Sequence, residues 1–434
     1  MNKPRFVISC PFDTYSGYGA RARDFIKAVI QSDKYQVELL SQRWGDTSWG
    51  FCKDHPEWHF LLNYLAKREW QQQGRPDLWM QITIPNEFQA VGKFNIGLTA
   101  GIESDSTKPE WIEGLNRMDL NWVSSVHAKT VFEKAVFDKM DKRTNKSIGK
   151  IQLQKPIEVL FEGVNLDIYK PLNKGEKNNF DLSSIKESFC YLFVGHWMGG
   201  EFGHDRKNVG VLVKNFYEAF KNKKGIKPAL ILKASVGTSS YMSRESILKK
   251  IAKIRRSINS KDLPNIYLIN GEFNDSEINE LYNHPKVKAM VSATKGEGFG
   301  RPLLEFTTTG KPVLASGWSG HIDFLNPSFT TLLPGVLEPV HPSAANNWLT
   351  KESKWFQIDG QRLQKSFKDI FKKYKEYSIK GKQQKHYTKT NFSWGKMAEL
   401  IKEKFNDTNL IPESAVQVSL NLPELNLPKL QKVK

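Results

Sequence analysis

Cysteine is scarce: Cys10, Cys52 and Cys190 are the only three in 434 residues, odd in number and without CxxC spacing. That excludes a disulfide framework and a structural zinc site, and leaves three reduced thiols as the expectation. Long apolar runs are missing too. Nothing approaches the roughly 18 residues of a membrane span, and the five residues Phe6 to Cys10 are too short for a signal-peptide core. A soluble, cytoplasmic protein is expected. Negative charge is in short supply, with 46 Asp and Glu against 64 Lys and Arg, a formal charge of +18. Such an excess suits phosphorylated small molecules, polyanions or an anionic membrane. Disorder is excluded by a 39% hydrophobic content that includes 12% aromatic residues.

What is present points to two domains, because 434 residues exceed one ordinary core. The charge is uneven. Residues 1–165 hold 22 basic and 20 acidic side chains, which leaves 42 against 26, or +16, for residues 166–434. The first segment reads strand, turn, helix: the apolar run Arg5–Cys10, the turn Ser16–Gly19, then helical spacing from Ala20 to Val29. Further strands are expected at 79–84, 95–99, 122–124 and 157–161, with a helix over 128–137. After the polar stretch 173–179 the pattern restarts with strands at 189–194, 229–232, 266–269, 289–292 and 312–315. Two α/β units facing a cleft are predicted. The boundaries are 1–170, a linker at 171–188, a second domain at 189–384, a helix crossing back at 385–406 and an extended tail at 407–434. The tail carries the repeat Asn421-Leu-Pro-Glu-Leu, Asn426-Leu-Pro-Lys-Leu, whose prolines forbid a helix interior.

Two stretches bear chemistry. Lys295-Gly-Glu-Gly-Phe-Gly-Arg-Pro-Leu-Leu-Glu305 is a glycine-rich turn between a predicted strand and helix, where backbone N–H groups approach a ligand closely. Its carboxylates, Glu297 and Glu305, suit the hydroxyls of a sugar or ribose, although an ordinary tight turn remains an even alternative. Upstream, Arg206-Lys207-Asn208 follows a strand and would place cations where a pyrophosphate could be held. A third stretch, Arg244–Ile258, sets Ile247, Leu248, Ile251, Ile254 and Ile258 on one helical face. Packing against a sheet is favoured there over contact with a membrane surface.

The ordered set Gly195, Arg206-Lys207-Asn208, Asn270-Gly271 with Phe273, Ser292, Glu297-Gly-Phe-Gly300, Glu305, Gly310-Lys-Pro-Val313 and Ser319-Gly320 resembles the nucleotide-sugar domain of family-four retaining glycosyltransferases (glycosyl transferases group 1). Gly163-Val-Asn-Leu-Asp167 resembles that family's hinge, and Phe392-Ser-Trp394 the start of its last helix. The resemblance implies a GT-B fold of two Rossmann-like domains with the donor, a nucleoside diphosphate sugar, in the cleft. It implies that Lys207 and Arg206 bind the diphosphate and that Glu297 contacts the transferred sugar. Glu305 would accept from the ribose, Gly298, Phe299 and Gly300 would donate backbone N–H groups, and Gly17 and Gly19 would leave room opposite. Asn270, Gly271 and Phe273 complete the implied donor site. With protein groups on the diphosphate and no Asp-x-Asp pair in the chain, no metal and no other cofactor is expected.

The chain departs from the family in two places. His196 stands where an arginine is common, followed by a longer insert, 197–205. The segment Thr99–Asp105 has no histidine where many members carry one; Glu103 or Asp105 could act there instead, although an ordinary loop carboxylate is the favoured reading. Without a second catalytic carboxylate, front-face displacement fits better than double displacement. The acceptor stays open among glycan, lipid-linked sugar and protein. The surroundings of Ile84-Pro-Asn-Glu87 and Gly101-Ile-Glu103 resemble phage-encoded relatives, which adds a hydroxymethylated DNA base. A nucleotide-sugar epimerase and a non-catalytic sugar-nucleotide or nucleic-acid binding protein are the other readings.

Overall fold

A computed structural model describes residues 3–141, 143–173, 175–345, 349–350 and 352–407. The repeat at 421–430 lies outside the described residues. Two six-stranded parallel sheets form the frame. The first contains β1 (Arg5–Cys10), β2 (Gln36–Ser41), β3 (Leu78–Ile82), β4 (Phe94–Thr99) and β5 (Leu120–Val123). A hairpin, β6 (Val136–Met140) with β7 (Ser147–Gln152), precedes its last strand, β8 (Ile157–Val159). Along β1 the period of two is visible in the packing: Phe6, Ile8 and Cys10 enter one core and Val7 the opposite one. Both faces are therefore buried, as a parallel sheet requires.

The second sheet contains β9 (Cys190–His196), β10 (Ala229–Ser235), β11 (Ile266–Ile269), β12 (Val287–Ser292), β13 (Val313–Ser316) and β14 (Thr331–Leu333). Its order, β11-β10-β9-β12-β13-β14, reverses direction at β9. The first sheet, β2-β1-β3-β4-β5-β8, reverses at β1. A crevice opens at the carboxyl ends of strands where such a reversal occurs. The loops 197–208, 293–300 and 11–16 stand there. An antiparallel pair, β15 (Gly335–Pro339) with β16 (Lys354–Ile358), flanks the second domain.

Three expectations are corrected in detail. The helix expected over 128–137 is Val126–Lys134, and the chain then turns into β6, because Val136 and Phe137 pair across to Gln152 and Ile151. The linker 171–188 packs as part of the second domain: Leu182 and Ile185 are buried in its core and Asn178 Nδ2 donates to the Glu280 carbonyl at 2.7 Å. The helix expected at 385–406 is two helices, Tyr374–Asn391 and Trp394–Asn406, separated at Phe392-Ser393, where Ser393 Oγ caps the second helix by accepting from Lys396 N. That second helix does return to the first domain, burying Met397, Ile401 and Phe405 in its core.

The crossing itself has a simple cause. Val164 N donates to the Phe392 carbonyl at 2.9 Å and Trp394 N to the Val164 carbonyl at 2.8 Å. A Cβ on Gly163 would lie 2.6 Å from Trp394 Cα, so only glycine lets the two strands of the hinge touch. The helix Tyr241–Ser257 turns Ile247 and Ile254 into the second core, the packing against a sheet that its spacing favours. No described helix is long and apolar enough to cross a membrane. Cys10, Cys52 and Cys190 are buried free thiols, each pushed up to about 12 chiefly by burial.

Candidate functional site

The site is built where the second sheet reverses. The insert 197–205 after β9 is anchored by buried Trp197, whose N–H donates to the Ser235 carbonyl at 2.8 Å, and by buried Asp205, which accepts from Val209 N at the start of the next helix. Lys295 N donates to the Arg206 carbonyl at 2.8 Å and ties this loop to the glycine-rich one. So anchored, the long insert still delivers both cations. Lys207 Nζ lies 2.5 Å from Glu297 Oε1, and Arg206 Nη1 lies 3.3 Å from Glu297 Oε2. Arg206 also donates to the Gly296 carbonyl at 3.0 Å.

Glu297 is 6% exposed. Burial alone would raise its pKa, but Lys207 and Arg206 outweigh it and hold the carboxyl down at about 2. Its backbone is fixed as well: the N–H donates to Ser319 Oγ at 2.9 Å and the carbonyl accepts from Gly320 N at 2.9 Å. Beside Lys207, Asn208 adopts φ +54° and its buried amide meets no protein partner among the described residues. A buried amide in that state calls for a ligand atom or a water.

The first domain supplies the opposite wall. Glu103 Oε1 lies 3.3 Å from Arg206 Nη1, whereas Asp105 accepts from Lys354 N at 2.6 Å and so ties the loop to β16. The two walls nearly touch. A Cβ on Gly296 would lie 1.9 Å from the Glu103 carbonyl oxygen, and one on Gly298 2.8 Å from that of Ala100. Gly17 has open space where a side chain would be, but Gly19 turns its bare face on the Thr14 carbonyl, 2.4 Å from where a Cβ would stand. Gly19 thus serves the turn itself.

Of the other expected residues, Gly300 and His196 border the Glu297 cluster, whereas Asn270, Gly271, Phe273 and Glu305 make contacts of their own. Phe299 buries its ring against Phe324 and can offer only its backbone, while Gly300 has φ +99° at the head of the helix Arg301–Thr307. Asn270 Nδ2 donates to the Ala234 carbonyl at 2.9 Å, Gly271 lies against the Phe273 ring, and that ring carries Lys233 Nζ 5.6 Å from its centre. His196 Nδ1 pairs with Ser235 Oγ at 2.9 Å; desolvation, then Lys207, Lys233 and Arg206, bring its pKa down to about 4, so it is neutral at pH 7. Glu305 lies 3.6 Å from Arg301 Nε, and burial pushes it up to about 7 against the pull of Arg301.

Two cations escaped the sequence reading. Lys233 lies at the carboxyl end of β10 beside His196, and a lysine inside the apolar run Ala229–Ser235 was the available signal. Arg301, inside the glycine-rich stretch, crosses to the first domain: its Nη1 lies 2.7 Å from Asp24 Oδ2 and 3.4 Å from Glu162 Oε2. No local pattern connects residues 24, 162 and 301. Among the described residues, no group of three or more His, Cys, Asp or Glu side chains could hold a metal ion.

No protein-family model matches this sequence, and no curated protein does. Solved structures do match. The structure of HepE from Anabaena in complex with UDP-glucose superposes with a TM-score of 0.59 at 14% identity, covering 93% of this chain and 99% of that one. Sucrose-phosphate synthase from Thermosynechococcus elongatus gives 0.59 at 13% identity, covering 93% and 98%. A glycosyltransferase from Rickettsia africae gives 0.61 at 13% identity, covering 94% and 100%. At such identities the likeness establishes the architecture. The fold is GT-B, two Rossmann-like domains across a cleft, as the sequence resemblance implied.

Proposed function

We propose that the protein transfers a sugar from a nucleoside diphosphate sugar to a hydroxyl acceptor, with retention of anomeric configuration. One observation carries this reading: Arg206, Lys207 and Glu297 meet at the reversal point of the second sheet, directly across from the Ala100–Glu103 wall of the first. Cations there suit a diphosphate, and a carboxylate beside them suits sugar hydroxyls. Lys207 and Arg206, now paired with Glu297, would turn to the diphosphate and stabilise charge on the leaving group. Lys233 adds a third cation nearby. Glu297 would hold the sugar, and Glu305 would accept from the ribose. Three protein cations make a metal dispensable in this reading.

In the chemical step the bond between the anomeric carbon and the phosphate oxygen breaks while the acceptor oxygen bonds to the same face. The acceptor's proton passes to the departing phosphate oxygen. Glu103, paired with Arg206, would act as a positioning residue on the acceptor side. HepE was solved with UDP-glucose, which makes that donor the first to try. The test is thermal stabilisation by a panel of uridine and guanosine diphosphate sugars, in the parent and in Lys207→Ala, followed by NMR of the product's anomeric configuration. Stabilisation lost in the variant and a retained configuration are expected. Donor consumed without any acceptor would instead mean an epimerase, and no stabilisation would remove the reading.

A further inference from the structure

Trp44 has no place in the core. It joins none of the four hydrophobic clusters of the described residues, although Trp58, Tyr18 and Phe60 nearby all pack against the first one. Its ring instead lies flat on Tyr18, with centroids 3.9 Å apart and planes 22° from parallel. Tyr18 reaches over the carboxyl ends of the strands: its hydroxyl pairs with Thr99 Oγ1 at 2.8 Å and accepts from Ala100 N at 3.0 Å. Ala100 is the residue whose carbonyl faces Gly298 across the cleft. The stack therefore stands on the first domain's side of the cleft, one residue from the wall that meets the donor loop.

The loop that carries Trp44 is held in one shape. Thr47 donates its N–H and its hydroxyl to the Trp44 carbonyl, at 3.1 and 2.6 Å, across Gly45 at φ +49°. Tyr15 N donates to the Ser48 carbonyl at 3.1 Å and Gly50 N to that of Asp13 at 2.9 Å, which fasten the loop to the turn before Gly17. Trp49, on the same loop, is 44% exposed. A large apolar ring fixed outside the core, beside a reaction cleft, is preorganised for a flat ligand.

We propose that the Trp44–Tyr18 stack is the acceptor subsite and that it takes a carbohydrate ring. The inference rests on the transferase reading above. A pyranose presents an apolar face of C–H groups to the indole and carries its hydroxyls at the rim. A nucleobase could also stack, but its phosphates need cations. Residues 42–58 hold two, Arg43 and Lys53, against three carboxylates, Asp46, Asp54 and Glu57. That balance favours a neutral sugar over a nucleic acid strand.

The test applies the full chain to an array of α- and β-linked oligosaccharides and, separately, to a duplex containing 5-hydroxymethylcytosine. Parent, Trp44→Ala and Trp44→Phe are compared. The parent is expected to bind at least one glycan class, Trp44→Ala to bind it about tenfold more weakly, and Trp44→Phe to recover most of the loss. Melting curves confirm that the variants fold, and stabilisation by nucleotide sugars should be unchanged in both. Glycan binding that survives in Trp44→Ala, no glycan binding by the parent, or binding of the duplex alone each overturns the proposal. Absence of donor stabilisation in the parent defeats the transferase reading instead, a result independent of the array.

Discussion

Replacing Lys207 with alanine tests the electrostatics of the site before any substrate is known. The change removes an ammonium 2.5 Å from Glu297 Oε1 and leaves Arg206 3.3 Å from Oε2. Removing one partner of a buried pair costs about 3–5 kcal/mol when nothing replaces it. Because Arg206 remains, about 2 kcal/mol is expected here, or a fall in Tm of roughly 4–8 °C for a domain of this size. Glu297→Gln should cost a similar amount, since it leaves Lys207 buried without its carboxylate. The double variant should be more stable than the sum of the singles implies, by about 1–3 kcal/mol. Denaturant melts of the four proteins measure this coupling. A coupling below about 0.5 kcal/mol would mean that the ion pair does not organise the site. Ligand then separates structure from function: a donor at a hundred times its Kd should add about 2.7 kcal/mol to the parent and little to Lys207→Ala, each measured from its own baseline.

Glu305, raised from 4.5 to about 7, holds a proton in the folded chain that the unfolded chain releases. Its contribution to stability is therefore full below pH 4.5 and declines as the pH rises to 7, by about 3 kcal/mol at most. Glu305→Gln should flatten that slope in melts at pH 4.5, 6 and 8, and an unchanged slope would refute the assignment. Gly296→Ala places a methyl group 1.9 Å from the Glu103 carbonyl oxygen, so it should part the domains or cost about 1–3 kcal/mol. X-ray scattering together with melting would detect either result, and a variant unchanged in both would show that the walls do not meet in solution. Transfer, once observed, should persist in excess EDTA; its loss, with recovery on adding a divalent ion, would refute a metal-free diphosphate site.

Much of the site was legible because local chemistry limits its choices. Glu297 is flanked by glycines since its loop passes within van der Waals reach of another backbone, and Arg206-Lys207 had to follow a strand to stand at its carboxyl end. The hinge was legible only through its family resemblance, and the structure supplies the physical reason: Gly163 is the residue that allows contact with Trp394. Alternation and helical spacing located five of the six strands of each sheet to within a few residues and missed β2 and β14, which lie at sheet edges. They failed at Val136–Met140, where an apolar stretch that suits either element became a strand through its partner β7.

The amino-acid pattern alone established two α/β halves and the glycine-rich and cationic stretches of the second. Those features depend on neighbours a few residues apart. Tertiary structure alone decided that Arg301 binds Asp24 and Glu162, that Glu103 faces Arg206 and that Trp44 rests on Tyr18 at the cleft. Such contacts join residues separated by up to 277 positions. Packing of one domain on the other brings the Arg301 and Glu103 contacts together, and packing of the loop after β2 on the turn before Gly17 brings Trp44 to Tyr18, so no local periodicity or spacing records them.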